Sequence, residues 1–207
     1  MLARVPLRRD ALPMMRILSY RTILFAMSVL LLASCRSTQP PSLSVEQTAQ
    51  HILEAMKGKD METLSYLVHP NEGVRFTPST HVSLQTDRRY PASNIARFFA
   101  DTSTYTWGTE DGSGLPIEKT GEEYWNRYVW DHEYTAAPEI RWDHVQDHGS
   151  MIDNAAEVYP EARIVEYHFP GFEEQYGGMD WRSLRLMLKD VDGRWYLTGV
   201  IHDEWTP

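Results

Sequence analysis

Trp181-Arg-Ser-Leu-Arg-Leu-Met-Leu-Lys-Asp-Val-Asp-Gly-Arg-Trp-Tyr-Leu-Thr-Gly-Val-Ile-His-Asp-Glu-Trp205 is the stretch that decides the fold. Residues 181–190 and 195–205 read as strands, and Asp192-Gly193 between them is a two-residue hairpin turn needing positive φ at both positions. Counting outward from the turn pairs Val191 with Arg194, Leu188 with Leu197, Leu186 with Gly199 and Leu184 with Ile201. Side chains alternate along a strand, so the last three pairs share one face, which must be the core side. That face ends in Arg182 opposite Asp203. The other face places Ser183 opposite His202, with Arg185 one pair further along. A bulge would break this register.

Upstream, residues 162–169 form a further strand, on which Glu166 and His168 share a face with Ile164. The N-terminal part is helical. Ser44 and Gln47 make a capping box, and Val45, Ala49, Ile52, Leu53 and Met56 form an apolar stripe behind it. Gly58 breaks that helix, and a second carries Met61, Leu64 and Leu67 to a stop at His69-Pro70. Val74-Arg-Phe76 reads as a short strand, residues 94–100 as a short helix and Asp111-Gly-Ser-Gly as a turn. Thr120 and Glu123 form a second capping box, opening a helix that buries Tyr124, Trp125, Tyr128, Val129 and His132. The order predicts an α+β domain over residues 44–207, with N-terminal helices packed on a curved antiparallel sheet. In that order the chain resembles the NTF2-like cone, in which helices pack into a bent sheet and leave a pocket. Fold alone does not settle function.

Residues 1–34 are organised as a secretory signal, with Arg16 and Arg21 ahead of an apolar run from Ile23 to Ala33. Eleven helical residues rise about 16 Å, too little for the roughly 30 Å of hydrocarbon that a spanning helix crosses. Leu32-Ala33-Ser34-Cys35 is similar to the lipobox of bacterial lipoproteins, and Cys35 is the single cysteine. The resemblance implies a diacylglycerol on the Cys35 thiol, cleavage before it and acylation of the freed amine, palmitate being the expected chain. Each buried methylene contributes about 0.8 kcal/mol, so two or three chains hold far more firmly than one. Residues 35–43 are then a lipidated tether. Arg36, in place of an aspartate, implies passage to the outer membrane in a Gram-negative cell. The lead is complete if translation begins at Met14 or Met15 rather than Met1.

Removing the signal takes five arginines and one aspartate from a chain of net charge −9, leaving the mature part at −13. Phosphate-backbone binding needs a basic face, so a nucleic-acid partner is not expected. With Cys35 lipidated no thiol remains for a disulfide, a metal or a nucleophile. No cofactor is expected, and the partner expected is the membrane, through Cys35.

Several segments look like an uncharacterised family of bacterial secreted and lipoprotein domains: His69-Pro-Asn-Glu-Gly-Val-Arg-Phe, Tyr105-Thr-Trp-Gly, Glu166-Tyr-His-Phe-Pro-Gly, Tyr176-Gly-Gly-Met-Asp-Trp-Arg-Ser-Leu-Arg-Leu, Gly193-Arg-Trp-Tyr-Leu and Ile201-His-Asp-Glu-Trp-Thr. The likeness spans nearly all of the mature chain. It implies a single extracytoplasmic domain and carries no catalytic role.

The candidate ligand residues are Arg75, Glu166, His168, Arg182, His202 and Asp203. Arg182 and Asp203 close the core with a salt bridge, or rim a pocket where the guanidinium grips an anionic group. Glu166 and His168, with His202 and Asp203, offer an acid/base pair, but no His-Glu-x-x-His or other compact metal spacing occurs. Arg75 reaches Glu166 or another carboxylate. Asp143-His144 and Asp147-His148 read as solvated loop polarity, and Tyr105, Trp107, Trp125 and Trp130 as core rings or a sugar groove. The expected function is an envelope lipoprotein that binds a small molecule, a glycan or an envelope component. The alternatives are a glycan or peptidoglycan hydrolase with an acidic pair, and a structural subunit.

Overall fold

The hairpin places β7 (Arg182–Val191) against β8 (Arg194–Glu204), with Asp192 at φ 54° and Gly193 at φ 81° as the turn requires. The structure is a computed structural model that describes residues 42–143 and 152–205. The signal, Cys35, most of the tether, and His144, Asp147 and His148 lie outside the described residues.

Two capping boxes open helices where the sequence places them. Ser44 caps α1 (Val45–Lys57), which presents Val45, Ala49, Ile52, Leu53 and Met56 to the core and ends at Gly58. Asp60 caps α2 (Met61–Leu67), which stops before His69-Pro70. Then come β1 (Val74–Thr77), β2 (Arg88–Tyr90) and the single-turn α3 (Ala92–Ile95). The expected helix over 94–100 thus begins earlier, at Pro91, whose fixed φ suits a helix entrance, and passes into turns. β3 (Tyr105–Thr109) and β4 (Pro116–Lys119) form a small separate hairpin around the Asp111 turn. Thr120 caps α4 (Gly121–Tyr128), and His132 lies beyond its end, not on its buried face. β5 (Glu139–Trp142), the short α5 (Ala155–Val158) and β6 (Arg163–Phe169) complete the order.

The main sheet runs β2-β1-β8-β7-β6-β5, curved and unclosed, with helices packed against it as the α+β reading expects. It departs from that reading in one pair: β1 runs parallel to β8. The inner face carries Val74, Phe76, Val165, Tyr167, Leu184, Leu186, Leu188, Leu197 and Val200 into one core with α1, α2 and α4. The outer face is covered by Val82, Ala155 and Tyr159, which pack on Ile164, Met187 and Ile201.

The register corrects the sequence reading at one point. Leu188 pairs with Leu197 as expected, but Met187 pairs with Gly199, so Thr198 is an extra residue on β8. Beyond this bulge every β8 side chain moves to the opposite face. Leu186 meets Val200 instead of Gly199, Leu184 meets His202 instead of Ile201, Ser183 meets Asp203, and Arg182 meets Glu204.

Candidate functional site

The bulge divides the candidate residues between the two faces of the sheet. Glu166, His168, Asp203 and Arg75 lie on the outer face, and Arg182 and His202 on the inner. Sequence alternation brought Glu166 and His168 together correctly. It also set His202 and Asp203 on opposite faces, but the bulge exchanges them: Asp203 joins the outer face and His202 the inner.

On the outer face the centre is Arg185, its side chain 1% exposed. Nε contacts Glu166 at 3.1 Å, Nη2 contacts Asp203 at 2.9 Å and Nη1 contacts Asp153 at 3.0 Å. Arg141 supplies a second cation to Glu166 at 3.0 Å, and Thr80 donates its hydroxyl to Asp203 at 2.6 Å. His168 Nδ1 lies 2.8 Å from the Ser183 hydroxyl. Burial opposes ionisation of Glu166, but the charges and hydrogen bonds of Arg185 and Arg141 overcome it and hold the carboxyl below its usual range. Burial raises Asp203 to about 6, Arg185 and Thr80 only partly opposing it.

That shift has a testable sign. Asp203 in the unfolded chain titrates near 3.9. The stability its protonated form gives the fold is fully present below that value and is lost as pH rises through about 6. Asp203→Asn mimics the protonated form. Relative to the unmodified chain it is expected to be more favourable at pH 7.5 than at pH 5, by ~1 kcal/mol. Denaturant melts at the two pH values check this, and an advantage that grows on acidification would count against it.

At the rim of the inner face a second network joins Arg127, Glu204, Arg182, Asp131 and His202. Arg127 and Arg182 both grip Glu204. Asp131 forms an ion pair with Arg182, Nε at 3.0 Å, accepts from the Tyr134 hydroxyl at 2.7 Å, and lies 3.3 Å from His202 Nε2 and 3.2 Å from His132 Nδ1. Burial opposes its charge, but His202 and Tyr134 hold its carboxyl well below the usual range. Asp131, His202 and Glu204 each offer a ligand atom within 4.8 Å of the others, near enough for a divalent cation. Arg182 already bridges the two carboxylates, so an ion there would have to displace a guanidinium. Asp131 and Glu204 escaped sequence reading. Asp131 lies in the irregular segment after α4, and the slipped register concealed Glu204.

Arg75 does not reach Glu166. Its Nη1 donates to the backbone carbonyls of Asp87 at 2.9 Å and Ser83 at 3.5 Å. The Asp87 carboxylate turns instead to the Thr77 hydroxyl and the Ser83 N–H, both at 2.8 Å, and burial pushes it up to about 6. Arg75 lines a cleft of about 100 Å³ on the outer face with Glu72, Leu84, Arg89, Val158, Tyr159 and Thr198. The β8 bulge builds its floor. Thr198, the extra residue, donates to Glu72 at 3.2 Å, and Lys189 holds both Glu72 oxygens at 3.0 and 3.1 Å. Next to it Gly199 leaves room for Tyr159, since a Cβ there would stand 2.8 Å from the phenol oxygen. That hydroxyl lies beside the Arg75 guanidinium, and burial raises its pKa to about 12.

The rings proposed for a sugar groove serve the core. Trp107 and Trp125 are fully buried, while Tyr105 and Trp130 are partly buried against the same cluster. Trp107 stacks on Tyr124 with centroids 4.1 Å apart and lies 5.6 Å from Tyr90. Phe76 and Phe98 pack on its other sides at 6.1 and 5.7 Å.

Compared with known proteins, the chain matches no family model and no curated protein. Among solved structures it matches an NTF-2 like protein of unknown function from Shewanella oneidensis MR-1, at 12% identity and TM-score 0.29, covering 77% of this chain and 96% of that one. It also matches a multiply substituted chain named as an Rd1NTF2 variant, at 10% identity and TM-score 0.28, covering 74% and 90%. Likeness at this level carries no argument about function. The α+β class rests on the helices and the curved sheet themselves.

Proposed function

We propose that this chain is a lipid-anchored envelope protein whose NTF2-like domain binds a small molecule or an envelope component and does not transform it. In a Gram-negative cell it would stand at the periplasmic face of the outer membrane, tethered through Cys35. The observation that carries the binding reading is the contrast between carboxylates and cleft. Glu166 and Asp203 are committed to Arg185, and Asp131 and Glu204 to Arg182, whereas the outer-face cleft is open. A hydrolase needs a carboxyl free to hand over a proton and another to receive one. No helix among the described residues is long and apolar enough to cross a membrane.

Two measurements test this reading. Cys35→Ser is expected to abolish signal cleavage and the lipid mass, and to shift the chain from an extractable lipoprotein fraction. Unchanged processing and mass would overturn the anchor. Native mass spectrometry of the chain, released from its own envelope in mild detergent, is expected to show a non-covalent small-molecule adduct. Gly199→Leu, whose side chain would displace Tyr159 from the cleft wall, should remove it. An adduct equally abundant in both would overturn the cleft as the binding site.

A further inference from the structure

Arg75 and Arg89 are direct cross-strand partners, Cα opposite Cα, on β1 and β2. Like charges in that position repel. Among the described residues neither side chain forms an ion pair: Arg75 spends one nitrogen on two backbone carbonyls and also meets the Tyr159 hydroxyl, its charge acting on Asp87 only at a distance, and the Arg89 side chain makes no hydrogen bond. This is unusual in a chain with 29 acidic residues against 20 basic ones. The nearest acid in the cleft, Glu72, is neutralised by Lys189, so the cleft keeps an excess of positive charge. A charge on the edge strand β2 deters sheet-to-sheet pairing, which accounts for Arg89 by itself. It does not account for the half-buried Arg75 opposite it.

From this geometry we infer that the cleft binds a phosphate-type oxyanion, held between Arg75 and Arg89. The inference rests on reading the cleft as the ligand site. Guanidinium forks match the oxygens of such a group, and two of them complement a double negative charge. A cleft of about 100 Å³ is well below the roughly 300–1,000 Å³ of sites that enclose a drug-sized molecule. It therefore holds one group while the rest of the ligand stays outside, along Leu84 and Val158. The oxyanion belongs either to a soluble phosphate ester or to the headgroup of an anionic lipid. The bulge supports a built site, since it alone brings Thr198 and Gly199 to the floor beside Glu72 and Tyr159.

The test uses the full chain in detergent, titrated calorimetrically with inorganic phosphate at low ionic strength, where screening is weakest. A parallel arm measures sedimentation of the chain without its signal and anchor, residues 36–207, with phosphatidylglycerol-containing vesicles, against vesicles of phosphatidylcholine alone. Saturable phosphate binding, weakened roughly tenfold or more by Arg89→Gln and by Arg75→Gln but unchanged by Arg97→Gln, is the expected result for a soluble ligand. Sedimentation that needs phosphatidylglycerol and falls in the same two variants supports the proposal with a lipid as source. Arg89 is exposed, so Arg89→Gln keeps the test sound if Arg75→Gln unfolds. Binding in neither arm, or equal losses in Arg97→Gln, overturns the proposal. A retained native adduct alongside absent phosphate binding would leave the cleft a ligand site and remove only the oxyanion.

Discussion

Arg185→Met is expected to destabilise the domain by about 3–5 kcal/mol at pH 7.5, the range for removing one partner from a buried ion network. For a domain of this size that corresponds to a fall in thermal midpoint of roughly 6–20 °C. The cost does not come from lost packing, since methionine fills much of the same volume. It comes from what remains. Glu166 and Asp203 are 1% and 4% exposed, and with Asp153 they would face one another with the central cation gone. Arg141 would still neutralise Glu166 in part. The loss should therefore shrink in the double variant Arg185→Met with Asp203→Asn, by about 0.5–3 kcal/mol relative to the sum of the singles. It should also shrink as pH falls through about 6, where Asp203 takes up its proton. Chemical denaturation of the four chains in this cycle measures both effects. A single-variant loss below about 1 kcal/mol would mean that water already solvates these carboxylates, as at an exposed pair.

How much of this was legible in the sequence depends on which physical signal each element carries. The helices announce themselves twice, in the Ser44–Gln47 and Thr120–Glu123 capping boxes, because orphan N–H groups at a helix start demand specific acceptors nearby. The hairpin is equally local, since Asp192-Gly193 fixes the turn and the turn fixes the first pairs. The bulge has no such local mark. Thr198-Gly199 reads as ordinary strand, and the need for a glycine there is tertiary: Tyr159, some forty residues away in sequence, lies where a side chain at Gly199 would stand. The parallel pairing of β1 with β8 joins segments near opposite ends of the domain and leaves no periodicity to read. Four of the six candidate residues, Glu166, His168, His202 and Asp203, are buried polar groups, and their grouping failed wherever it depended on β8 beyond position 198.

Trp107→Ala is expected to cost about 3–5 kcal/mol, and its rescue bears directly on where a ligand can sit. In the hollow of the curved sheet the indole is fully buried between Tyr124, Tyr90, Phe76 and Phe98, and its Nε1 donates to the Lys119 carbonyl at 2.8 Å. Truncation removes the ring's burial, its stacking on Tyr124 and that hydrogen bond, and leaves a cavity walled by rigid aromatics that cannot close over it. Such a cavity stays dry and accepts an apolar guest. Added indole at ten times its dissociation constant should therefore return about 1.4 kcal/mol to Trp107→Ala and nothing to the unmodified chain. Thermal melts with and without indole separate the two cases. Recovery would show that the hollow of the sheet is a pocket which this sequence occupies with its own side chains. That result would fit the proposal of a ligand on the opposite face, at the cleft lined by Arg75 and Arg89. A loss below about 1 kcal/mol in Trp107→Ala would mean that the hollow was never tightly filled, and the argument for placing the ligand outside it would fall.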